Sequence, residues 1–197
     1  ADRGEIRIMG QEHQRCESRA CVGYLPERPY FFEHLNGQEL LEFYADLLNL
    51  PRGIRAARIS EVLHRTGMSE HAGRRLSKFS KGMLQRIGLA QTLLGDPDVL
   101  ILDEPMSGLD PMGRREVREL LLELKNQGKT IILSSHIVPD VEMLADSVGI
   151  LCNGHLVKTC NLKEVTHDCS YQVQMACGGG KQDGLQLPQW AQSKLQS

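Results

Sequence analysis

The feature that most constrains this chain is the run Val99-Leu100-Ile101-Leu102, which leads directly into Asp103 and Glu104. Apolar residues in a row without alternation are typical of a strand buried on both faces, as in a parallel sheet. Two carboxylates at the end of such a strand are costly unless something there uses negative charge. A metal ion bound to a phosphate would use it, so the question is whether the chain holds a phosphate-binding loop.

Strands and helices alternate around this run. Further strands are predicted at 5–9, 22–25 and 130–134, and Asn153-Gly154 predicts a hairpin with a type I′ turn. Asp110-Pro111 is typical of a helix start, and Gly128 of a helix end. The sequence therefore predicts an α/β core.

A purely helical segment interrupts this core at about 35–95. Its helices carry apolar stripes, and the third is predicted to begin at Ser80. In the first helix, the side chains predicted to face inward are Leu40, Leu41, Tyr44, Leu47 and Leu48. One domain over 1–165 is expected, followed by a Gly- and Gln-rich tail at 166–197 that is expected to be loosely ordered.

Composition excludes several classes of protein. The formal net charge of −2 offers no broad basic surface for nucleic acid. No apolar run approaches the roughly 18 residues that span a bilayer, and the first ten residues lack a signal-peptide pattern. The six cysteines form no C-x-x-C pair, so we interpret them as reduced thiols of a cytosolic chain.

Two further segments carry candidate chemistry. His136 follows the predicted strand 130–134, and the carboxyl ends of neighbouring parallel strands share one edge, where ligands bind. We therefore expect Asp103, Glu104 and His136 to meet there. Ser80, Lys81 and Gly82 stand at a predicted helix start, whose free N–H groups suit a phosphate, although on this segment alone an ordinary N-cap serine is the better interpretation of Ser80.

Taken together, these motifs resemble the ATP-binding domain of ABC transporters over about residues 1–165. "FSKGM" followed by "LQR" resembles the signature motif, "VLILDE" the Walker B strand, and "SGLD" at 107–110 the D-loop. "VGYLPE" resembles the Q-loop, and His136 the switch histidine. The fold implied by the resemblance is a P-loop NTPase-like α/β core with an inserted helical subdomain.

The resemblance also implies a site and a set of partners. Glu104 would activate water, His136 would contact the terminal phosphate, and Asp103 and Glu27 would hold Mg²⁺. ATP would lie between two such subunits in a head-to-tail dimer, and a transmembrane permease subunit would hold the protein at the inner face of the cell membrane. The residues expected to contact nucleotide are Ser80, Lys81, Gly82, Met83, Glu27 and Asp110.

Three positions depart from the usual family pattern. Glu27 stands where most members carry Gln, Lys81 replaces a Gly, and Met83 replaces the final Gln of the signature. These changes resemble a branch of drug and antibiotic exporters, so an exporter is expected.

The phosphate loop itself does not occur in the sequence. Its pattern is G-x-x-x-x-G-K-[ST] between a strand and a helix. The only similar triplet is Gly128-Lys129-Thr130, where Glu123 occupies the place of the first Gly and the order of helix and strand is reversed. We therefore expect the loop to lie upstream of Ala1, and we expect weak ATP binding and negligible ATP hydrolysis by these 197 residues alone.

Two alternatives remain at the level of sequence. One is a soluble ABC ATPase of the DNA-repair or translation-factor kind, although such proteins usually carry two of these domains or long coiled-coil insertions. The other is a catalytically inactive interaction module that keeps the fold. The gene sequence upstream of Ala1 separates the inactive module from the transporter subunit.

Overall fold

The structure, a computed structural model, describes residues 4–162. The strands are β1 (Arg7–Ile8), β2 (Gln11–Glu12), β3 (Val22–Leu25), β4 (Val99–Asp103), β5 (Thr130–Ser134), β6 (Ser147–Cys152) and β7 (His155–Asn161). The α-helices are α1 (Cys16–Ala20), α2 (Gly37–Leu47), α3 (Arg52–Arg65), α4 (Lys81–Leu93), α5 (Pro111–Asn126) and α6 (Val138–Leu144). Short 3₁₀ turns at Ser69–His71 and Leu76–Lys78 join α3 to α4.

A parallel sheet with strand order β3-β4-β5 lies at the centre of this part of the chain. Leu102 of β4 pairs with Leu25 on one side and with Leu133 on the other. The three strands therefore end level with one another, and the residues that follow them share one edge. This confirms the predicted parallel α/β arrangement around the acidic strand.

The two faces of this sheet are buried unequally. Leu100 and Leu102 are completely or almost completely buried in the main apolar cluster, whereas Tyr24 and Ile132 are 54% and 57% exposed. Val99 and Ile101 of β4 are only partly buried, so the prediction that the run 99–102 is buried on both faces is wrong for residues 4–162. An unbroken apolar run shows that its side chains are apolar. It does not show that other elements of the protein pack on both faces of the strand.

The helical segment packs through α2, α3 and α4. The predicted inward residues Leu40 and Leu41 are fully buried, and a capping box joins Asn36 and Glu39 at the start of α2. Leu47 and Leu48, however, are 60% and 43% exposed, so their predicted inward orientation is wrong. They lie where α2 ends and the chain turns, so the helical spacing of inward-facing residues no longer holds there.

Both predicted helix starts are confirmed. Ser80 caps α4 by accepting a hydrogen bond from the backbone N–H of Met83, and Asp110 caps α5 by accepting one from Gly113. The apolar stripe of α5 is buried at Val117, Leu120, Leu121 and Leu124. These caps fix where the two helices begin, next to the sheet edge.

The connection from α5 to β5 is not a phosphate loop. Gly128 follows the helix with a φ of +87°, which glycine adopts readily. Lys129 Nζ lies 3.1 Å from Asp96 Oδ1 and 3.5 Å from Asp98 Oδ1. The triplet Gly128-Lys129-Thr130 is thus a helix-to-strand connection, as predicted.

Two antiparallel hairpins complete the described chain. Asn153 and Gly154 have φ values of +49° and +77° between β6 and β7, which confirms the predicted turn. The predicted strand 5–9 is shortened to β1, because Met9 and Gly10 turn the chain into β2. The tail predicted at 166–197 lies outside the described residues. Within residues 4–162, no helix is both long and apolar enough to cross a membrane.

Candidate functional site

Asp103 ends β4 at the shared edge of the sheet and is held there by a serine of the next strand. The register places Asp103 opposite Ser134, the last residue of β5. Ser134 Oγ donates a hydrogen bond of 2.5 Å to Asp103 Oδ1 and accepts one of 3.0 Å from the backbone N–H of Glu104. One hydroxyl therefore fixes both the first carboxylate and the backbone that carries the second.

Glu104 has an unusual backbone conformation. Its φ is +48°, in the left-handed region that costs a residue other than glycine about 1–3 kcal/mol and that is enriched at functional sites. Its carbonyl oxygen accepts hydrogen bonds from Gln85 Nε2 at 3.2 Å and from the backbone N–H of Ser107 at 3.0 Å. Because Gln85 is 2% exposed, the strained turn is held from within the protein.

The side chain of Glu104 meets His136. His136 Nδ1 lies 2.8 Å from Glu104 Oε1, and the two side chains are 75% and 20% exposed, respectively. The carboxylate oxygen accepts a hydrogen bond from Nδ1–H of the ring, which leaves Nε2 as the second hydrogen-bonding atom of the imidazole. The two acids and the histidine therefore lie at one edge of the sheet, as predicted. Asp103 is hydrogen-bonded to Ser134, and Glu104 is hydrogen-bonded to His136.

The start of α4 lies against the loop that follows Glu104. Lys81 Nζ donates a hydrogen bond of 3.1 Å to Ser107 Oγ. A Cβ added to Gly82 would lie 3.1 Å from the carbonyl oxygen of Gly108, which is tighter than ordinary contact. The signature-like segment and the D-loop-like segment, separate in sequence, are thus in direct contact.

Glu27 lies two residues beyond β3 and is exposed. Leu25 is paired with Leu102, so Glu27 and Asp103 both follow the same edge of the sheet. Glu27 also lines a cavity of about 280 Å³, together with Arg28, Pro29, Lys81, Leu84 and Gln85. Its predicted role in holding Mg²⁺ stays a prediction.

Two residues predicted to contact nucleotide have evident structural tasks. Asp110 Oδ1 accepts the N–H of Gly113 at 3.0 Å as the cap of α5. Met83 is partly buried and packs against the main apolar cluster. The geometry explains both residues without a ligand, and their roles toward nucleotide stay predictions.

The donor atoms at the sheet edge fit Mg²⁺. Within residues 4–162, no three His, Cys, Asp or Glu side chains converge as a ready metal site. Mg²⁺ needs no such cluster, because it keeps several waters and is usually bound by one or two carboxylates together with substrate phosphates. The carboxylate of Asp103, which accepts a hydrogen bond from Ser134, supplies oxygen atoms of the kind that ligate Mg²⁺.

Sequence reasoning missed Ser134 and Gln85. The first could have been found from its place at the end of the strand beside the acidic one. The second is an amide on the inward side of α4, between Leu84 and Ile87, where a polar residue needs a partner.

Comparisons with known proteins show which family the sequence and the fold resemble. The sequence model of the ABC transporter family matches residues 1–107. An uncharacterized ABC transporter ATP-binding protein, sll0415 of Synechocystis sp. (strain PCC 6803), is 41% identical over 94% of this chain. The bacitracin transport ATP-binding protein BcrA of Enterococcus faecalis is 37% identical over 82% of it. A solved structure of an ATP-binding subunit of an ABC transporter is 31% identical with a TM-score of 0.74, covering 83% of this chain and 69% of that one.

The chain spans about half the length of the curated relatives it matches, 52% of sll0415 and 53% of BcrA. The family match covers more than half of the chain and includes β3, the helical segment, the acidic strand and its neighbouring loop. The sequence match, the structural similarity and the motifs at the sheet edge lead to one conclusion: the chain belongs to the ABC transporter family, among its ATP-binding proteins.

Proposed function

We propose that the protein is the ATP-hydrolysing subunit of an ABC transporter. The observation that carries this proposal is the contact of 2.8 Å between Glu104 Oε1 and His136 Nδ1, beside Asp103 at the sheet edge. A carboxylate held by an imidazole next to a second acid suits the activation of a water molecule that attacks a phosphate.

Each residue at the sheet edge has its own role in the proposed hydrolysis. Glu104 accepts a proton from the attacking water, and the hydrogen bond to His136 fixes the direction of its carboxylate. His136 keeps Nε2 for an oxygen of the terminal phosphate. Asp103, oriented by Ser134, and Glu27 would hold Mg²⁺, which would supply positive charge to neutralise the phosphates.

The second half of an ATP site comes from the start of α4. Ser80 caps this 13-residue helix, and Lys81, Gly82 and Met83 form its first turn. The backbone N–H groups of Lys81 and Gly82 and the helix dipole favour an anion there. In a head-to-tail dimer this turn of one subunit faces the nucleotide held by the other, and Asp110 lies close to the same boundary. The packing of Gly82 on the D-loop-like segment supports this grouping.

A membrane partner and an exporter function belong to the same proposal. The relative BcrA is named for bacitracin transport, and Glu27, Lys81 and Met83 resemble the pattern of the exporter branch. Tyr30 and Phe32 are 89% and 54% exposed, and the ring of Phe32 makes an edge contact with that of Phe43 at a centroid distance of 5.7 Å. We define these three residues as the aromatic patch and assign it to docking of a permease subunit, which places the protein at the inner face of the membrane.

The proposal is tested in the full-length protein by the substitution Glu104→Gln. The amide keeps the shape of the side chain but cannot take a proton, so the turnover number should fall about 10²–10⁴-fold while ATP still binds. The matched control is Glu119→Gln, since Glu119 is an exposed residue of α5 paired only with its helical neighbour Arg115 among the described contacts. Turnover equal to that of the parent protein in Glu104→Gln would exclude the assigned reaction.

A further inference from the structure

The contact between α4 and the loop after Glu104 is centred on Lys81. The ammonium group donates to Ser107 Oγ at 3.1 Å, and the side chain runs alongside Gly108. A Cβ added to Gly108 would lie 2.7, 2.8 and 3.0 Å from Lys81 Cδ, Cγ and Cε, and Gly108 also has a φ of +75°. The lysine therefore fits a backbone position that only glycine fills without strain.

The position of Lys81 is costly for a lysine. It is the first residue of α4, where the positive end of the helix dipole disfavours a cation. An exposed lysine ordinarily keeps the rotational freedom of its side chain, whereas here the whole length of the side chain is used for contact. A residue that is unfavourable for its own helix points to a task outside the helix.

The loop that Lys81 contacts is also connected to the catalytic carboxylate. The backbone N–H of Ser107 donates to the carbonyl oxygen of Glu104 at 3.0 Å, and that oxygen also accepts from Gln85 of α4. Glu104 itself has the strained φ of +48°, so its conformation depends on such support. A path of direct contacts thus runs from Lys81 through Ser107 to Glu104 and His136.

We propose that Lys81 is a positioning residue that holds the turn Glu104–Gly108 against α4, and so keeps Glu104 directed at His136. The inference rests on the proposed hydrolysis of ATP, and it gives Lys81 a task within its own subunit. It differs from a role in which the side chain of Lys81 contacts the nucleotide of the partner subunit, whereas the backbone N–H groups of the first turn of α4 keep their proposed task.

Kinetics of the full-length protein separate these two roles. Lys81→Met keeps the alkyl side chain and removes the donor, and Ser107→Ala removes the acceptor. Each should lower kcat about 2–10-fold, the range for one hydrogen bond, with the KM for ATP changed less than about twofold. The double variant should be no slower than either single variant, because both remove the same contact.

The matched control is Lys78→Met, which changes an exposed lysine of the preceding 3₁₀ turn and should leave kcat and KM as in the parent. A higher KM with unchanged kcat in Lys81→Met would overturn the proposal in favour of a direct nucleotide contact. Losses that multiply in the double variant would overturn it as well.

A second measurement needs no ATP. The backbone N–H groups of Ser107 and Leu109 are bonded to Glu104 and Met106, so hydrogen exchange reports how firmly the turn is held. Both amides should exchange faster in Lys81→Met and Ser107→Ala, while those of the middle of α5 stay unchanged. Unchanged exchange at both amides would overturn the proposal, whether or not Glu104→Gln abolishes turnover.

Discussion

At the scale of single residues, Ser134 fixes the positions of both acids of the site. Its hydroxyl group bonds both the carboxylate of Asp103 and the backbone of Glu104. Without it, Asp103 would be free to rotate away from the position in which it can hold a metal ion. Ser134 is therefore a positioning residue for the proposed Mg²⁺ site.

We predict that Ser134→Ala raises the Mg²⁺ concentration needed for half-maximal ATP turnover in the full-length protein. Loss of one hydrogen bond of about 1 kcal/mol corresponds to roughly a fivefold rise. Titration of MgCl₂ at saturating ATP measures this value. The control is Ser69→Ala, in an exposed 3₁₀ turn of the helical segment. An unchanged Mg²⁺ requirement in Ser134→Ala would show that Asp103 needs no such support.

The meeting of Glu104 and His136 was predictable from sequence, whereas the hydrogen bonds that support it were not, although the positions of Ser134 and Gln85 made them candidates. Residues that end neighbouring parallel strands must share an edge, which is enough to bring the acids near the histidine. The role of Ser134 depends on the pairing of Asp103 with Ser134, and a sequence does not give strand register. The positive φ of Glu104 likewise follows from Gln85 and Ser107, which come from different parts of the chain.

At the scale of elements, α5 and α6 are joined by a buried ion pair. Arg118 of α5 donates to Asp140 Oδ1 of α6 at 2.7 Å, and the side chain of Asp140 is only 5% exposed. Asp140 Oδ2 is buried and makes no hydrogen bond within residues 4–162. Helix α6 follows His136 directly, so this pair also anchors the segment that carries the histidine.

We predict that Asp140→Ala destabilises the folded protein by about 3–5 kcal/mol, because it leaves Arg118 largely buried without its partner. The free energy of unfolding in urea measures the effect. The control is Glu119→Ala, which breaks the fully exposed pair with Arg115 on the same helix and should change stability little. The hydrogen bond to Glu119 raises the pKa of Arg115 above its usual value, so the guanidinium group of this pair stays charged. Equal losses in the two variants would contradict the assigned difference in burial.

Sequence reasoning at this scale succeeded at helix starts and failed at helix ends and sheet faces. Ser80 and Asp110 are local signals, since a cap involves only the next three residues. Leu47 continues the apolar stripe in sequence, but the helix ends there and its side chain is exposed. The exposure of Ile132 depends on what covers the sheet, and a strand pattern carries no such information.

At the scale of the whole molecule, the proposed transporter subunit must bind a membrane partner. Aromatic residues are enriched at protein interfaces, and in the aromatic patch two exposed rings, those of Phe32 and Phe43, lie 5.7 Å apart. The patch adjoins the turn at 32–36 that leads into α2. We therefore expect this turn to lie within reach of the permease subunit.

We predict that a single cysteine at His34 cross-links to the permease subunit in membranes that contain the assembled transporter. A cysteine at Glu119, on the exposed face of α5, serves as the control and should give no such product. The introduced cysteines are compared with the parent protein, because the chain has six cysteines of its own. Capture of the permease from position 119 but not from position 34 would place the docking surface elsewhere.

The central claim is that Glu104 and His136 act as one unit, and a double-mutant cycle on ATP hydrolysis by the full-length protein tests it most directly. Rates are measured for Glu104→Gln, His136→Ala and the double variant under single-turnover conditions. Because the two side chains are 2.8 Å apart and serve one step, the account predicts that the double variant is about as slow as Glu104→Gln alone. Losses that multiply, so that the double variant is slower by the product of the two single effects, would show that the residues act independently and would contradict the account.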